Sequence, residues 1–218
     1  MRFRISLPSS LFLWLSLSIV LVTLGSVGCA AATDASGTTS VGQVERAVFA
    51  GGCFWCMEEA FEGVLGVRSV VSGYTGGTLA QPTYEQVSAG GTGHAESVEV
   101  QFDPTVVDFP TLLDVFWRNV DPTVADRQFC DQGTQYRPAI FYRDEVQRRA
   151  AEVSRERVER TKRFPDPLKV QIVAAMTFYP AEEFHQDYYR RNPIRYKYYK
   201  YSCGRAQRLE ELWGKPKG

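Results

Sequence analysis

The sequence predicts an α/β fold in which helices pack as one layer on a mixed β-sheet. Three observations carry that prediction. Short runs rich in β-branched and aromatic residues alternate with runs of helical period, and no internal repeat interrupts them. Once the N-terminus is set aside, the remaining stretch, 45–218, is the length of a single domain with room for its own core.

The N-terminus reads as an address rather than as fold. Arg2 and Arg4 precede the apolar run Leu11–Leu24, and Gly25, Ser26, Val27 and Gly28 lead from it to Cys29. A basic start, an apolar middle and a small-residue exit make residues 1–28 a secretory signal peptide. The apolar run is shorter than the ~20 residues that a membrane span needs. Two readings of the exit stay open: a soluble periplasmic product, or a chain tethered to the membrane by lipid on Cys29. Ser26 stands where lipoprotein signals usually carry Leu and weighs against the second. Residues 29–44 are small and polar without an apolar period, the composition of a flexible linker.

The elements follow in order. Arg46–Ala50 is a short buried strand, and Met57–Glu62 continues a helix that starts close to Cys53. Val67–Tyr74 is a strand ending at Thr75-Gly76-Gly77. Ala95–Phe102 alternates strictly, with Val98, Val100 and Phe102 on one face, and Asp103-Pro104 closes it. Phe109–Asn119 is a helix with Leu112, Leu113, Phe116 and Trp117 at helical spacing. Arg137–Arg143 is a strand. Asp144–Phe164 is a charged helix whose apolar stripe begins Val146, Ala150, Val153. A core strand over Val170–Met176 and a helix over Ala181–Arg191 complete the domain. The pattern is that of a two-layer sandwich with a ferredoxin-like core. The tail from about 192, dense in Tyr and Lys, shows no period. It reads as a segment wrapping the surface, or as one that carries Cys203 to a reactive site.

Composition narrows the function. Lys plus Arg and Asp plus Glu number 25 each, and loss of Arg2 and Arg4 with the leader leaves a slightly acidic chain. No basic face is implied, which argues against nucleic acid as a partner. Of five cysteines, one lies at the leader's end, two form a close pair and two are isolated. That distribution suits redox chemistry better than a disulfide framework.

The close pair lies in Gly51-Gly52-Cys53-Phe54-Trp55-Cys56. Between a strand and a helix, Cys53 sits where free N–H groups and the positive end of the helix dipole stabilise a thiolate. Cys56 is one helical turn away, within disulfide reach if Cys53 occupies the helix mouth. A zinc site would need two more ligands at a recognisable spacing, and Cys130, Cys203, His94 and His185 are scattered singly. Phe54 and Trp55 beside the thiol suggest an apolar pocket wall. Glu96, on a strand near such a pocket, would have its pKa raised and could donate a proton. Tyr84 and Tyr136 place phenols on loops, Asp131 opens a polar turn, and His94 reads as a loop brace. Cys130 reads as a packing residue.

Taken together, Gly-Cys-Phe-Trp-Cys (52–56), Gly-Tyr-Thr-Gly-Gly (73–77), Pro-Thr-Tyr (82–84), Thr-Gly-His-Ala-Glu (92–96), Asp-Gln-Gly-Thr-Gln-Tyr-Arg (131–137) and Phe-His-Gln-Asp-Tyr (184–188) resemble the type A peptide methionine sulfoxide reductases, in the same order and over about residues 46–213. The resemblance implies that Cys53 attacks the sulfoxide sulfur, that Glu96 protonates the departing oxygen with help from Tyr84 and Tyr136, and that Phe54 and Trp55 hold the methyl group. It implies that Asp131 orders the polar side of the pocket. It implies a Cys53 sulfenic acid, resolved by a second thiol and regenerated by thioredoxin or a periplasmic equivalent, with oxidised proteins or free methionine sulfoxide as substrate and no cofactor. Many relatives have Gly at the position of Cys56 and resolve through tail cysteines, so the order of Cys56 and Cys203 stays open at this point. The local concentration of Cys56 favours it as the first partner, with Cys203 as a later relay. A general thiol–disulfide oxidoreductase would not need Glu96 and the two tyrosines, and a lipid-anchored binding protein would survive loss of Cys53.

Overall fold

A computed structural model describes residues 44–215. The signal peptide, Cys29 and the linker up to residue 43 lie outside the described residues. Eight strands run in chain order: β1 (Glu45–Ala50), β2 (Val67–Thr75), β3 (Ala95–Phe102), β4 (Arg127–Gln128), β5 (Asp131–Gln132), β6 (Ala139–Tyr142), β7 (Gln171–Ala174) and β8 (Tyr179–Pro180). Six of them pair in the order β7-β6-β1-β3-β2-β8, antiparallel except for β6–β7, while β4 and β5 form a hairpin of their own. The helices are α1 (Phe54–Glu62), α2 (Tyr84–Ser88), α3 (Phe109–Arg118), α4 (Glu145–Thr161), α5 (Tyr188–Arg191), α6 (Pro193–Ser202) and α7 (Arg205–Trp213). The inner order β6-β1-β3-β2, with β3 filling the gap that the β1–α1–β2 crossover leaves, is the ferredoxin-like arrangement that the sequence predicts.

Strand alternation sorts the core. Ala47 and Phe49 of β1, with Val98, Val100 and Phe102 of β3, belong to the cluster that α1, α3 and α4 complete. The Phe49 ring stacks on Phe61 at 4.8 Å, on Phe116 at 5.4 Å and on Phe109 at 6.0 Å. The predicted stripe Leu112, Leu113, Phe116, Trp117 of α3 is fully buried. Asp108 caps α3 and Asp144 caps α4, each side chain accepting an N–H three residues on. The alternate residues Val48, Ala50 and Ala95 face the other way, under Ala175 and Phe178.

Four expectations need correction. The buried face of α4 is Gln147, Ala151, Ser154 and Val158, while Val146 and Val153 stand 78% and 61% exposed. Gln147 goes inward because its amide donates to Arg46 O at 2.8 Å and accepts from Arg143 N at 3.1 Å. Ser154 accepts from the Trp117 indole at 3.0 Å. Polar residues with built-in partners thus displaced the stripe by one position. Strand β7 is an edge strand with mostly exposed residues, not a core strand.

No helix spans 181–191. Tyr179–Pro180 pairs with Gly73 and Tyr74 as the other sheet edge, a 3₁₀ turn covers Glu183–His185, and α5 is a single turn. Gly73 makes this close approach possible, since a Cβ there would lie 2.4 Å from Tyr179 O. The Gln186 side chain then bridges to Ser72 N and O at 2.9 Å each, and Asp187 at φ 52° interrupts helical continuation. The tail is helical rather than irregular: α6 and α7 join at Gly204, whose φ is 66°.

Candidate active site

Cys53 caps the N-terminus of α1 through its backbone, its carbonyl accepting from Cys56 N at 3.1 Å. Gly52 before it has φ 81°, and a Cβ there would lie 2.5 Å from the Cβ of Gln128. That buried glutamine clips the 121–128 loop shut by pairing with both backbone groups of Asp121 at 2.7–2.8 Å. The tight turn therefore exists because only glycine fits between the thiol and the clip.

A small cavity of about 80 Å³ opens at Cys53. Its walls are Cys53, Phe54, Trp55, Tyr84, Glu96, Asp131 and Tyr136, the full set of predicted pocket residues, with one addition, Tyr199. A larger groove of about 950 Å³ beside α7 shares none of these side chains.

Glu96 is buried on β3 opposite Tyr74 of β2 and accepts the Phe54 N–H at 3.1 Å. Burial pushes its carboxyl up to about 8; the Phe54 N–H opposes this, and Asp131 and Cys56 add to it. At neutral pH the group is therefore an acid with a proton to give. Tyr84 begins α2 instead of lying on a loop, because Thr83 forms a capping box with Gln86 and Glu182 accepts the Tyr84 N–H at 2.8 Å. Tyr136 ends a 3₁₀ turn at Thr134–Tyr136. Both phenols are held neutral by burial first and by the charge of Glu96 next. His94 is a brace, as expected: its Nδ1 accepts from Gly77 N at 3.3 Å and its Nε2 donates to Leu79 O at 2.8 Å.

The thiols correct the expectation of a Cys53 thiolate. Burial pushes Cys53 well above the ordinary thiol value, and Cys56 and Glu96 add to the effect. Cys56 is instead drawn down to about 6 by a hydrogen bond from the Cys53 thiol, against its own burial and with help from Arg205, Tyr196 and Lys200. The two thiols are thus coupled, burial raising Cys53 while its neighbours lower Cys56. Both are free and buried. Cys130 and Cys203 correct the reading of the isolated cysteines: they are joined in a disulfide, so Cys130 is not a packing residue and Cys203 is not on a loose tail.

Four residues that the sequence left unassigned complete the site. The Trp55 indole N–H donates to His185 Nδ1 at 3.2 Å, and the indole stacks on Tyr188 with ring centroids 3.8 Å apart. His185 also packs on Phe54 and Tyr84. Tyr196 donates to Glu59 at 2.6 Å beside Cys56, and Tyr199 donates to Asp131 at 2.5 Å and reaches the Cys53 thiol. The motif at 184–188 contains His185 and Tyr188 but gave them no role, and for Tyr196 and Tyr199 the signal was the tyrosine density of the tail, which carried no period.

Comparison with known proteins agrees with this geometry. The family model described as peptide methionine sulfoxide reductase matches residues 45–217. Peptide methionine sulfoxide reductase MsrA of Halalkalibacterium halodurans is 50% identical over 173 residues, covering 79% of this chain and 98% of its own. The MsrA of Streptococcus uberis is 51% identical over 170 residues, covering 78% and 99%. Among solved structures, reduced Mxr1 of Saccharomyces cerevisiae superposes with a TM-score of 0.65 at 29% identity, over 69% of this chain and 87% of that one. Methionine sulfoxide reductase A of Corynebacterium diphtheriae gives 0.62 at 31%, over 72% and 78%. With a match that spans nearly the whole described chain and the site motifs gathered on one thiol, this protein belongs to the peptide methionine sulfoxide reductase family, type A.

Proposed function

We propose that the protein reduces the S epimer of methionine sulfoxide, free or in oxidised proteins, to methionine. The convergence of Cys53, Glu96 and the aromatic wall on one small cavity carries this reading. The Cys53 sulfur attacks the sulfoxide sulfur while Glu96 delivers its proton to the oxygen, steadied by Tyr84 and Tyr136. Cys56, one helical turn away and drawn down to about 6, can take the Cys53 proton. The oxygen passes to Cys53 as a sulfenic acid and methionine leaves. Cys56 then attacks that sulfur, releasing water and closing a Cys53–Cys56 disulfide, which an external dithiol of the thioredoxin type reopens while becoming a disulfide itself. Cys203 joins as a relay only after its bridge to Cys130 opens.

Placement in the cell envelope, and repair of oxidised proteins there, is part of the same proposal. The signal-like N-terminus supports it, and so does a Cys130–Cys203 disulfide of the kind that persists in oxidising compartments. Palmitate labelling of the exported protein decides between a soluble form and one lipidated at Cys29.

The test is turnover of each sulfoxide epimer with dithiothreitol. A sulfur that presents its methyl to Phe54 and Trp55 and its oxygen to Glu96 has one handedness, so only the S epimer should be consumed. Equal turnover of both epimers, or of neither, sinks the reading.

A further inference from the structure

We propose that the Cys130–Cys203 disulfide is a positioning clasp for the reductase site: it pins the C-terminal end of α6 to the β4–β5 hairpin and so keeps Tyr199 seated between Asp131 and the Cys53 thiol. The inference rests on the reading of the pocket given above. Three observations lead to it. First, α6 has little apolar surface with which to hold itself down. Tyr196 is its one buried residue, while Ile194, Tyr198 and Tyr201 are largely exposed. A ten-residue helix without an apolar face is marginal unless something else anchors it.

Second, the bridge supplies that anchor at the right place. It links residues 73 apart in sequence with Cα atoms 4.9 Å apart, and closing so long a loop removes much freedom from the open chain. The sulfurs of Cys130 and Cys203 and a carboxylate oxygen of Asp131 lie within 4.8 Å of one another, and Cys130 Sγ is 3.7 Å from Asp131 Oδ1. Asp131 is the acceptor of Tyr199, four residues before Cys203 and one helical turn away. A chain of neighbours therefore runs from the bridge through Asp131 and Tyr199 to Cys53, since Asp131, Tyr199 and Cys53 line one cavity.

Third, the bridge is more exposed than the catalytic pair. Cys130 is exposed and Cys203 half-buried, whereas Cys53 and Cys56 are buried. An external dithiol can attack the bridge, opening it to two thiols as the dithiol closes to a disulfide. Opening would free the end of α6 and loosen Tyr199 without touching the Cys53–Cys56 pair.

Single-turnover reduction of S methionine sulfoxide, measured without reductant, tests the clasp. Cys130→Ser, Cys203→Ser and the double variant should each be slowed by the same factor, about tenfold, the scale of one well-placed hydrogen bond. Adding any of them to Tyr199→Phe should slow that variant no further. Hydrogen exchange in α6 of the wild type should accelerate once dithiothreitol opens the bridge, a readout that needs neither a variant nor activity. Unchanged α6 exchange, or a wild-type single-turnover rate in all three serine variants, overturns the clasp. So does full single-turnover rate with loss of thioredoxin-driven cycling, which would leave Cys203 with the relay role alone. A wild type that reduces no sulfoxide overturns the functional reading instead, and the exchange measurement still reports on the bridge.

Discussion

Around Phe49, three phenylalanine rings stack within 6.0 Å and no polar atom takes part. Around Trp55, the rings besides Phe54 are His185, Tyr188 and Tyr199, and each of those three carries a hydroxyl or ring nitrogen. The first region is the sheet-and-helix core that sets the position of Cys53. The second is the C-terminal segment that roofs the thiols. Apolar packing is non-directional and tolerates small shifts, so it suits a scaffold. Hydrogen-bonded phenols and carboxyls are directional and bury charge, so they suit a site where one proton must sit on one atom. The comparison teaches that scaffold and chemistry are held by different forces and should fail separately.

The largest separation of the two is expected at Glu96. Glu96→Gln keeps the shape of the roofed pocket but not its acid, so the single-turnover rate should drop about 10²–10⁴-fold. The wild-type rate should fall as pH rises through about 8, where the carboxyl loses its proton, and the variant should lack that limb. The substitution should move stability the other way. A carboxyl raised above its ordinary value binds its proton more tightly in the folded chain, so folding weakens as pH climbs from roughly 4.3 in the unfolded chain toward about 8. Glu96→Gln should therefore unfold at higher urea than the wild type at alkaline pH. A variant less stable at every pH would remove burial as the cause of the raised value.

Phe49→Ala attacks the scaffold instead. Emptying the centre of the ring stack should cost about 3–5 kcal/mol in urea unfolding. At temperatures where the variant remains folded, the rate with S methionine sulfoxide should hold near the wild type, because none of the rings stacked on Phe49 lines the Cys53 cavity. A rate loss on the scale of Glu96→Gln would show that core and roof are not separable.

The smallest effect is expected at Tyr196, which binds Glu59 beside Cys56. Tyr196→Phe should lose about 1 kcal/mol of stability. It should also let the Cys56 thiol drift up from about 6, since the phenol is one of the groups that lower it. Closure of the Cys53–Cys56 disulfide near neutral pH should then slow a few-fold while methionine release stays unchanged. Rapid-quench thiol counting separates the two steps, and an equal slowing of both would place Tyr196 in the reductase step.

Much of the scaffold was legible because it rests on periodicity. The alternation of Val98, Val100 and Phe102 and the spacing of Leu112, Leu113, Phe116 and Trp117 both mark faces that the structure buries. The motifs likewise picked out the residues that gather on the cavity at Cys53. Illegible were the places where polar side chains pack inward: Gln147 and Ser154 on α4, Gln186 against β2, and the tyrosines of α6. A polar residue is buried only if a partner from elsewhere in the chain meets it, and sequence spacing does not show that partner.

By itself the sequence determined the order of the longer strands and helices from β1 to β7, the thiol pair at a strand-to-helix turn, and the carboxyl and phenols that line its cavity. These are local matters of propensity, spacing and residue type. Only the tertiary structure decided that burial raises the Cys53 thiol while its neighbours lower Cys56, that Cys130 and Cys203 are joined, and that the tail folds into helices over the site. Each of those depends on groups far apart in sequence, Cys53 with Tyr199, Cys56 with Arg205, and Cys130 with Cys203. Burial and Coulomb interactions act through distance in space, which the chain sets only once it has folded.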